Sequence, residues 1–195
     1  MENILHNDGI TWNAHARVLK YSLDQARYAQ RYYPDPTGDF MIGLFDSPED
    51  GIVEQSGNLL TTLGLNRITS LIIGGGGTSF ANANALTGVG NSTTAATVAD
   101  THLTANSTGN SRYIVMDASF PTQSNGLISG QSTYGSSDGN FAWQEWGWVI
   151  AASPANSDTF AGTGTSPVML NHKVASFGTK GSGAIWVFQT SVTLT

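Results

Sequence analysis

The sequence predicts a mainly β fold, an antiparallel β-sandwich or a small barrel of similar strand count, behind an N-terminal amphipathic helical arm. Two patterns predict the β part and one predicts the arm. Over 184–194, Trp186, Phe188, Val192 and Leu194 alternate with Val187, Gln189, Ser191 and Thr193, the two-residue period of a strand with one apolar face. From about Leu86 onward, apolar segments at 113–116, 127–134, 141–150, 173–177 and 184–194 are separated by clusters of Gly, Ser, Asn and Asp, as short strands and turns follow one another in all-β domains. Over 11–33, Trp12, Ala16, Leu19, Leu23, Ala26 and Tyr33 recur at spacings of 4, 3, 4, 3 and 7, a single stripe on a helix.

The arm comes first in the chain. Asp8 or Thr11 is placed to cap its helix, and Pro34 and Pro36 stop it. One amphipathic helix cannot bury its own stripe, so it must dock on the rest of the chain or on a neighbouring subunit. Arg17, Lys20, Arg27 and Arg31 are four of the eight basic residues, and Asp35, Asp39, Asp46, Glu49, Asp50 and Glu54 follow with no basic residue among them. Such a dipolar head is either a solvated face or an assembly surface, and cations near a helix C-terminus also suit the dipole. The run 40–45, bounded by Gly38 and Ser47-Pro48, reads as a short buried strand. Leu65, Ile68 and Ile72 at helical spacing make 60–72 a second, shorter helix, which the glycines at 74–77 end. The expected division is a helical and extended arm over 1–54 and a β-sandwich domain over 55–195.

Composition narrows the function. Charged residues are 11% of the chain, against about a quarter in an ordinary globular protein, which suits a surface partly covered by partners. A net charge of −6 argues against nucleic acid as a partner, because phosphate neutralisation needs clustered Lys and Arg. There is no cysteine, so disulfides, thiolate catalysis and Cys-ligated metal are excluded. The start Met1-Glu2-Asn3 is acidic where a signal peptide is basic and then apolar, and the longest aliphatic run is Leu71-Ile72-Ile73. The expectation is a soluble protein made in the cytoplasm, with no membrane among its partners.

Several residues invite a chemical role. Glu145 lies among Phe141, Trp143, Trp146 and Trp148, and a carboxylate between aromatic rings is the setting of a glycosidase acid. Strict alternation puts Glu145 on one face with Phe141 and Trp143, and Trp146 and Trp148 on the other. No second carboxylate stands at a recognisable spacing, and a Glu paired with Arg112, Arg67 or a Trp indole N–H is the simpler expectation. The glycines at 74–77 and around Gly88 and Gly90 lack the Lys-Ser/Thr of a P-loop. His6, His15, His102 and His172 show no metal-ligand spacing. Asp46, Glu49, Asp50 and Glu54 could gather a hard cation, although a solvated acidic loop accounts for them. No serine sits in Gly-x-Ser-x-Gly, and no cofactor is expected.

Four groups of residues, in order, resemble virion proteins of tailed phages. Leu86-Thr87-Gly88-Val89-Gly90, the turn Thr93-Thr94-Ala95-Ala96 and Asp100-Thr101-His102-Leu103 look like a recurring strand, turn and Asp-Thr-x-Leu segment. Gly57-Asn58-Leu59-Leu60-Thr61 and Gly64-Leu65-Asn66-Arg67-Ile68 look like the helix that opens such domains. Asn140 to Gly147 and Asn171-His172-Lys173 follow, and Gly178-Thr179-Lys180, Trp186 and Val192-Thr193-Leu194 complete the pattern, which spans about residues 54–194. The resemblance implies a non-enzymatic structural protein of the virion, a capsid decoration or cement or a tail or fibre component, with no catalytic residue carried over. Its partners would be copies of itself and the major capsid or tail protein, and it would reside in the virion after synthesis in the host cytoplasm. The candidate assembly surface is Trp12, Leu19 and Leu23 with Arg17, Lys20, Arg27 and Arg31. The competing expectations are a receptor- or glycan-binding module using Trp143, Trp146, Trp148 or Tyr134, and a glycosidase centred on Glu145.

Overall fold

The structure, a computed structural model, describes residues 12–162 and 166–194. In chain order the elements are β1 (Trp12–Tyr21), α1 (Leu23–Ala29), α2 (Gly38–Leu44), β2 (Ile52–Ser56), β3 (Leu59–Leu60), α3 (Thr62–Ile72) and β4 (Ala85–Gly90). There follow β5 (Ser111–Val115), β6 (Thr122–Ser124), β7 (Leu127–Tyr134), β8 (Ala142–Ile150), β9 (Val168–Met169), β10 (Asn171–Thr179) and β11 (Ile185–Leu194). They form two packed antiparallel sheets, one in the order β2-β1-β11-β7-β6 and the other β3-β10-β8-β4-β5, with β9 also on β8. The protein is a β-sandwich, and each of the five segments read as strands from Gly-bounded apolar runs is a strand. Among the described residues no helix is long and apolar enough to cross a membrane.

The N-terminal region departs from expectation. Residues 12–21 are a strand paired with β11 along its whole length, from Trp12↔Leu194 to Tyr21↔Ile185, and with β2 on its other edge. The physical reason is a second pattern beneath the helical one. Ala14, Ala16 and Val18 alternate with Asn13, His15 and Arg17, and the first set is buried between the sheets. Tertiary pairing selects that period over the helical stripe. A helix begins only at Leu23, where Ser22 accepts the Gln25 N–H and Gln25 reaches back to the Ser22 N–H, a capping box. The expected caps Asp8 and Thr11 lie outside the described residues. The run 40–45, expected as a strand, belongs to helix α2, capped by Thr37 through the Phe40 N–H. A six-residue apolar run cannot separate strand from helix by period alone.

Three apolar layers result. Between the sheets, Trp143 stacks edge-on to Trp186 at 4.8 Å and Trp146 to Phe188 at 5.5 Å. The Trp148 indole N–H donates to Thr190 Oγ1 at 2.7 Å. Trp143, Trp146 and Trp148 all enter this core, so the expected split of the tryptophans between two faces does not hold. The alternation slips between Trp143 and Trp146, opposite a register shift in β10 between Val174 and Gly178, as a β-bulge produces. Outside the first sheet, Leu19, Tyr21, Ile185 and Val187 are roofed by α1 and α2 through Ala26, Ala29 and Met41. Outside the second sheet, Leu86, Tyr113, Val149 and Met169 meet Leu103 and Phe160 from long connections.

Candidate functional site

Glu145 has no exposed surface, and neither has His172. Val174 of β10 stands opposite Glu145 of β8, so His172, two residues along, is its diagonal neighbour on the same face. His172 Nε2 lies 2.7 Å from Glu145 Oε2, and its Nδ1 lies 2.5 Å from Asp100 Oδ2. The Thr104 and Ala105 N–H groups donate to Glu145 Oε2 and Oε1 at 2.9 and 2.8 Å. Asp100 also accepts from the Thr97 N–H at 2.8 Å and the Thr97 hydroxyl at 2.7 Å. The arrangement pins the connection between β4 and β5 across two strands of the second sheet.

Each ring nitrogen of His172 faces a carboxylate oxygen, an arrangement that favours hydrogen on both nitrogens and so a charged ring. Burial opposes that charge, but the hydrogen bonds and charges of Glu145 and Asp100 outweigh it and raise the His172 pKa. Partial burial of Asp100 works toward a higher pKa; hydrogen bonds from Thr97 and His172 overcome it and hold the carboxyl below its ordinary value. Gly90 is required beside them, since a Cβ there would lie 2.5 Å from Glu145 Oε1.

The cluster is built for cohesion. A general base needs a free lone pair, and both nitrogens of His172 face carboxylates. A glycosidase pair needs room for sugar and water between its carboxyls, and here the imidazole fills that room. The basic residues expected beside Glu145 are engaged elsewhere. Arg112 bonds Asp138 at 2.6 Å and Asp158 at 3.2 Å, and Arg67 donates to the Thr78 carbonyl at 2.9 Å. Trp143, Trp146, Trp148 and Tyr134 are buried and present no ring to a glycan.

The seven residues proposed for assembly do not share a face. Leu19 is buried beneath the helices. Trp12 packs against the inter-sheet core and donates its indole N–H to Asn58 Oδ1 at 2.6 Å. Arg17 lies on the open side of the first sheet, 3.4 Å from Glu54, and Lys20 sits 4.8 Å from the Trp186 ring. Leu23, Arg27 and Arg31 remain exposed. Around the last two the structure gathers residues that the sequence did not single out. Tyr28, Tyr32 and Tyr33 are exposed; the Tyr28 ring meets Tyr32 at 5.6 Å, and Tyr32 and Tyr33 meet Phe40 at 6.5 and 4.7 Å. At the opposite end of α1, Gln25 donates to the Ser47 carbonyl and accepts from the Glu49 N–H. Exposed Asp24, Asp46, Glu49 and Asp50 thereby surround its first turn. Among the described residues no group of three or more His, Asp or Glu is placed to hold a metal ion.

No family model, no curated protein and no solved structure matches the chain.

Proposed function

We propose that the chain is a non-enzymatic structural protein of a tailed-phage virion, a capsid decoration or cement protein or a tail component, which assembles with copies of itself and with the major capsid or tail protein. The observation that carries the reading is the surface of α1 and α2. Tyrosines and arginines, the residue types that dominate interface energetics, stand exposed at one end of α1, and an acidic loop stands at the other. A basic aromatic end and an acidic end on one short element suit head-to-tail contact between copies, which closes into rings or continues as a tube. The phage assignment rests on the resemblance. Its separate segments supply Gly90, Asp100, Leu103, Glu145 and His172, and these meet in and around one buried cluster, as residues that hold a shared fold would.

Charge exchange tests the assembly. The pair Arg27→Glu and Arg31→Glu should abolish self-association in sedimentation velocity, and so should Asp46→Lys with Asp50→Lys. Combining all four should restore it. A wild-type chain that remains monomeric at high concentration, or a fourfold variant that fails to recover, would sink the head-to-tail contact. Antibody labelling of intact particles in electron micrographs tests the virion assignment, and particles without the protein would reject it.

A further inference from the structure

Lys180 is nearly sealed from solvent, with 1% of its surface exposed, and its amine hydrogen-bonds to neutral acceptors. Nζ donates to the Gly135 carbonyl at 2.7 Å and to Asn140 Oδ1 at 2.9 Å. Burying an ammonium is costly. Burial lowers the Lys180 pKa to about 8, against the pull of the Asp138 charge. About a tenth of the amine is then neutral and nucleophilic at pH 7. The neighbouring amide is held as firmly. Asn140 Nδ2 donates to the Ser136 carbonyl at 3.1 Å, which turns Oδ1 toward Nζ. The backbone fixes both segments around them: the Lys180 N–H donates to the Phe141 carbonyl at 3.1 Å, and the Gly183 N–H to the Ser136 carbonyl at 2.9 Å. The Trp143 indole N–H donates to the Gly139 carbonyl at 2.8 Å and steadies the residue before Asn140.

We infer that Lys180 and Asn140 are a modification site, at which the buried amine attacks the amide and an intramolecular isopeptide bond forms. The amide carbon Cγ is one bond of about 1.2 Å from Oδ1, so a small rotation of the side chain brings it to the separation of about 3–3.5 Å from which attack proceeds. The Gly135 carbonyl keeps one N–H of the neutral amine and leaves its lone pair to turn toward Cγ. The Nζ–Cγ bond forms, the Cγ–Nδ2 bond breaks, and the proton that Nζ gives up leaves with Nδ2 as ammonia. Asp138 is the carboxylate placed to carry that proton: its Oδ2 accepts the N–H of Gly135 at 3.2 Å, the residue whose carbonyl holds Nζ. Asn140 is exposed, so the ammonia escapes to solvent. The step needs no oxidant and no partner, and it runs once per chain. Its effect is mechanical. Asn140 lies between β7 and β8, Lys180 lies between β10 and β11, and both connections cross from one sheet to the other. The bond pins the two crossings together and restricts the unfolded chain as a disulfide does, in a protein without cysteine.

Mass spectrometry reads the bond directly. The purified full chain, kept folded at pH 8 for several days, should be lighter than its sequence by one ammonia. Trypsin acting on the denatured product should leave the chain uncut after Lys180 and release residues 113–173 joined to 174–195. Lys180→Arg keeps the positive charge without an amine that can attack, and Asn140→Ala removes the amide. Each variant should keep its full sequence mass and give no joined peptide. A wild-type chain that keeps its full mass and is cut after Lys180 would overturn the bond, and that reading does not depend on either variant folding. A deficit of one ammonia that survives in Lys180→Arg would overturn it too, because the loss would then lie at another residue.

Discussion

Glu145 shows how a single residue changes meaning once its neighbours are known. Among tryptophans in sequence it looks like a catalytic acid; in space it is one of two carboxyl groups that hold a buried imidazole ring. Removing one member of such a buried pair leaves the other charge uncompensated. Glu145→Gln keeps the shape and one acceptor oxygen, and should cost about 2–3 kcal/mol of stability, near the upper range for a hydrogen bond to a charged group. A shift of the urea midpoint corresponding to less than about 0.5 kcal/mol would contradict that role. The cluster also sets a pH window. His172 has a raised folded pKa, so its contribution is fully present below the ordinary imidazole value of about 6.5 and is lost as pH rises through the folded value. Asp100 has a lowered folded pKa, so its contribution is present above the ordinary value of about 3.9 and is lost as pH falls through the folded one. The stability difference between the wild type and His172→Gln should therefore be largest between about pH 4 and 6.5, read from urea midpoints across pH. A difference that grows steadily above pH 7 would refute it. From sequence, Asp100 and His172 were visible only as parts of separate motifs, because nothing local says that residues 72 positions apart share a proton.

At the scale of elements, the strands with a clean two-residue period were legible, and so was α3. The N-terminal strand was not, because Trp12, Ala16 and Leu19 satisfy a helical spacing while Ala14, Ala16 and Val18 satisfy a strand spacing in the same ten residues. Only the partner resolves the ambiguity, and β11 lies 164 to 182 positions downstream, from the Tyr21↔Ile185 pair to the Trp12↔Leu194 pair. The consequence is experimental. A division into an arm over 1–54 and a β domain over 55–195 implies that the domain folds without residues 1–33; with β1 lying between β2 and β11, their removal exposes the flank of Trp186 and Phe188 and uncovers an edge. The truncated protein should lose its near-ultraviolet circular dichroism and aggregate, and a soluble product with a wild-type spectrum would refute the central placement of β1. Helix α3 offers a smaller test of the same kind. Gly64→Ala drives a methyl group into the Leu170 carbonyl, which costs about 1–3 kcal/mol in a packed contact and should appear as a lowered melting temperature. An unchanged melting temperature would mean that the helix can lift from the turn without penalty.

For the whole molecule, the division of charge matters more than its amount. The net charge is −6, yet the charges concentrate around α1 and the acidic loop, while α3 and its surroundings carry none that faces outward. The proposed contact at α1 follows from that division. Arg27 and Arg31 against an acidic loop is a rim-type electrostatic contact, strong in steering and sensitive to screening. Raising the salt from about 0.1 to about 1 M contracts the Debye length from about 10 to about 3 Å and should weaken that association severalfold. Sedimentation velocity across a salt series reads that loss. If association by α1 resists salt, the tyrosines rather than the arginines dominate it, and Tyr32→Ala with Tyr33→Ala should abolish what charge reversal spared.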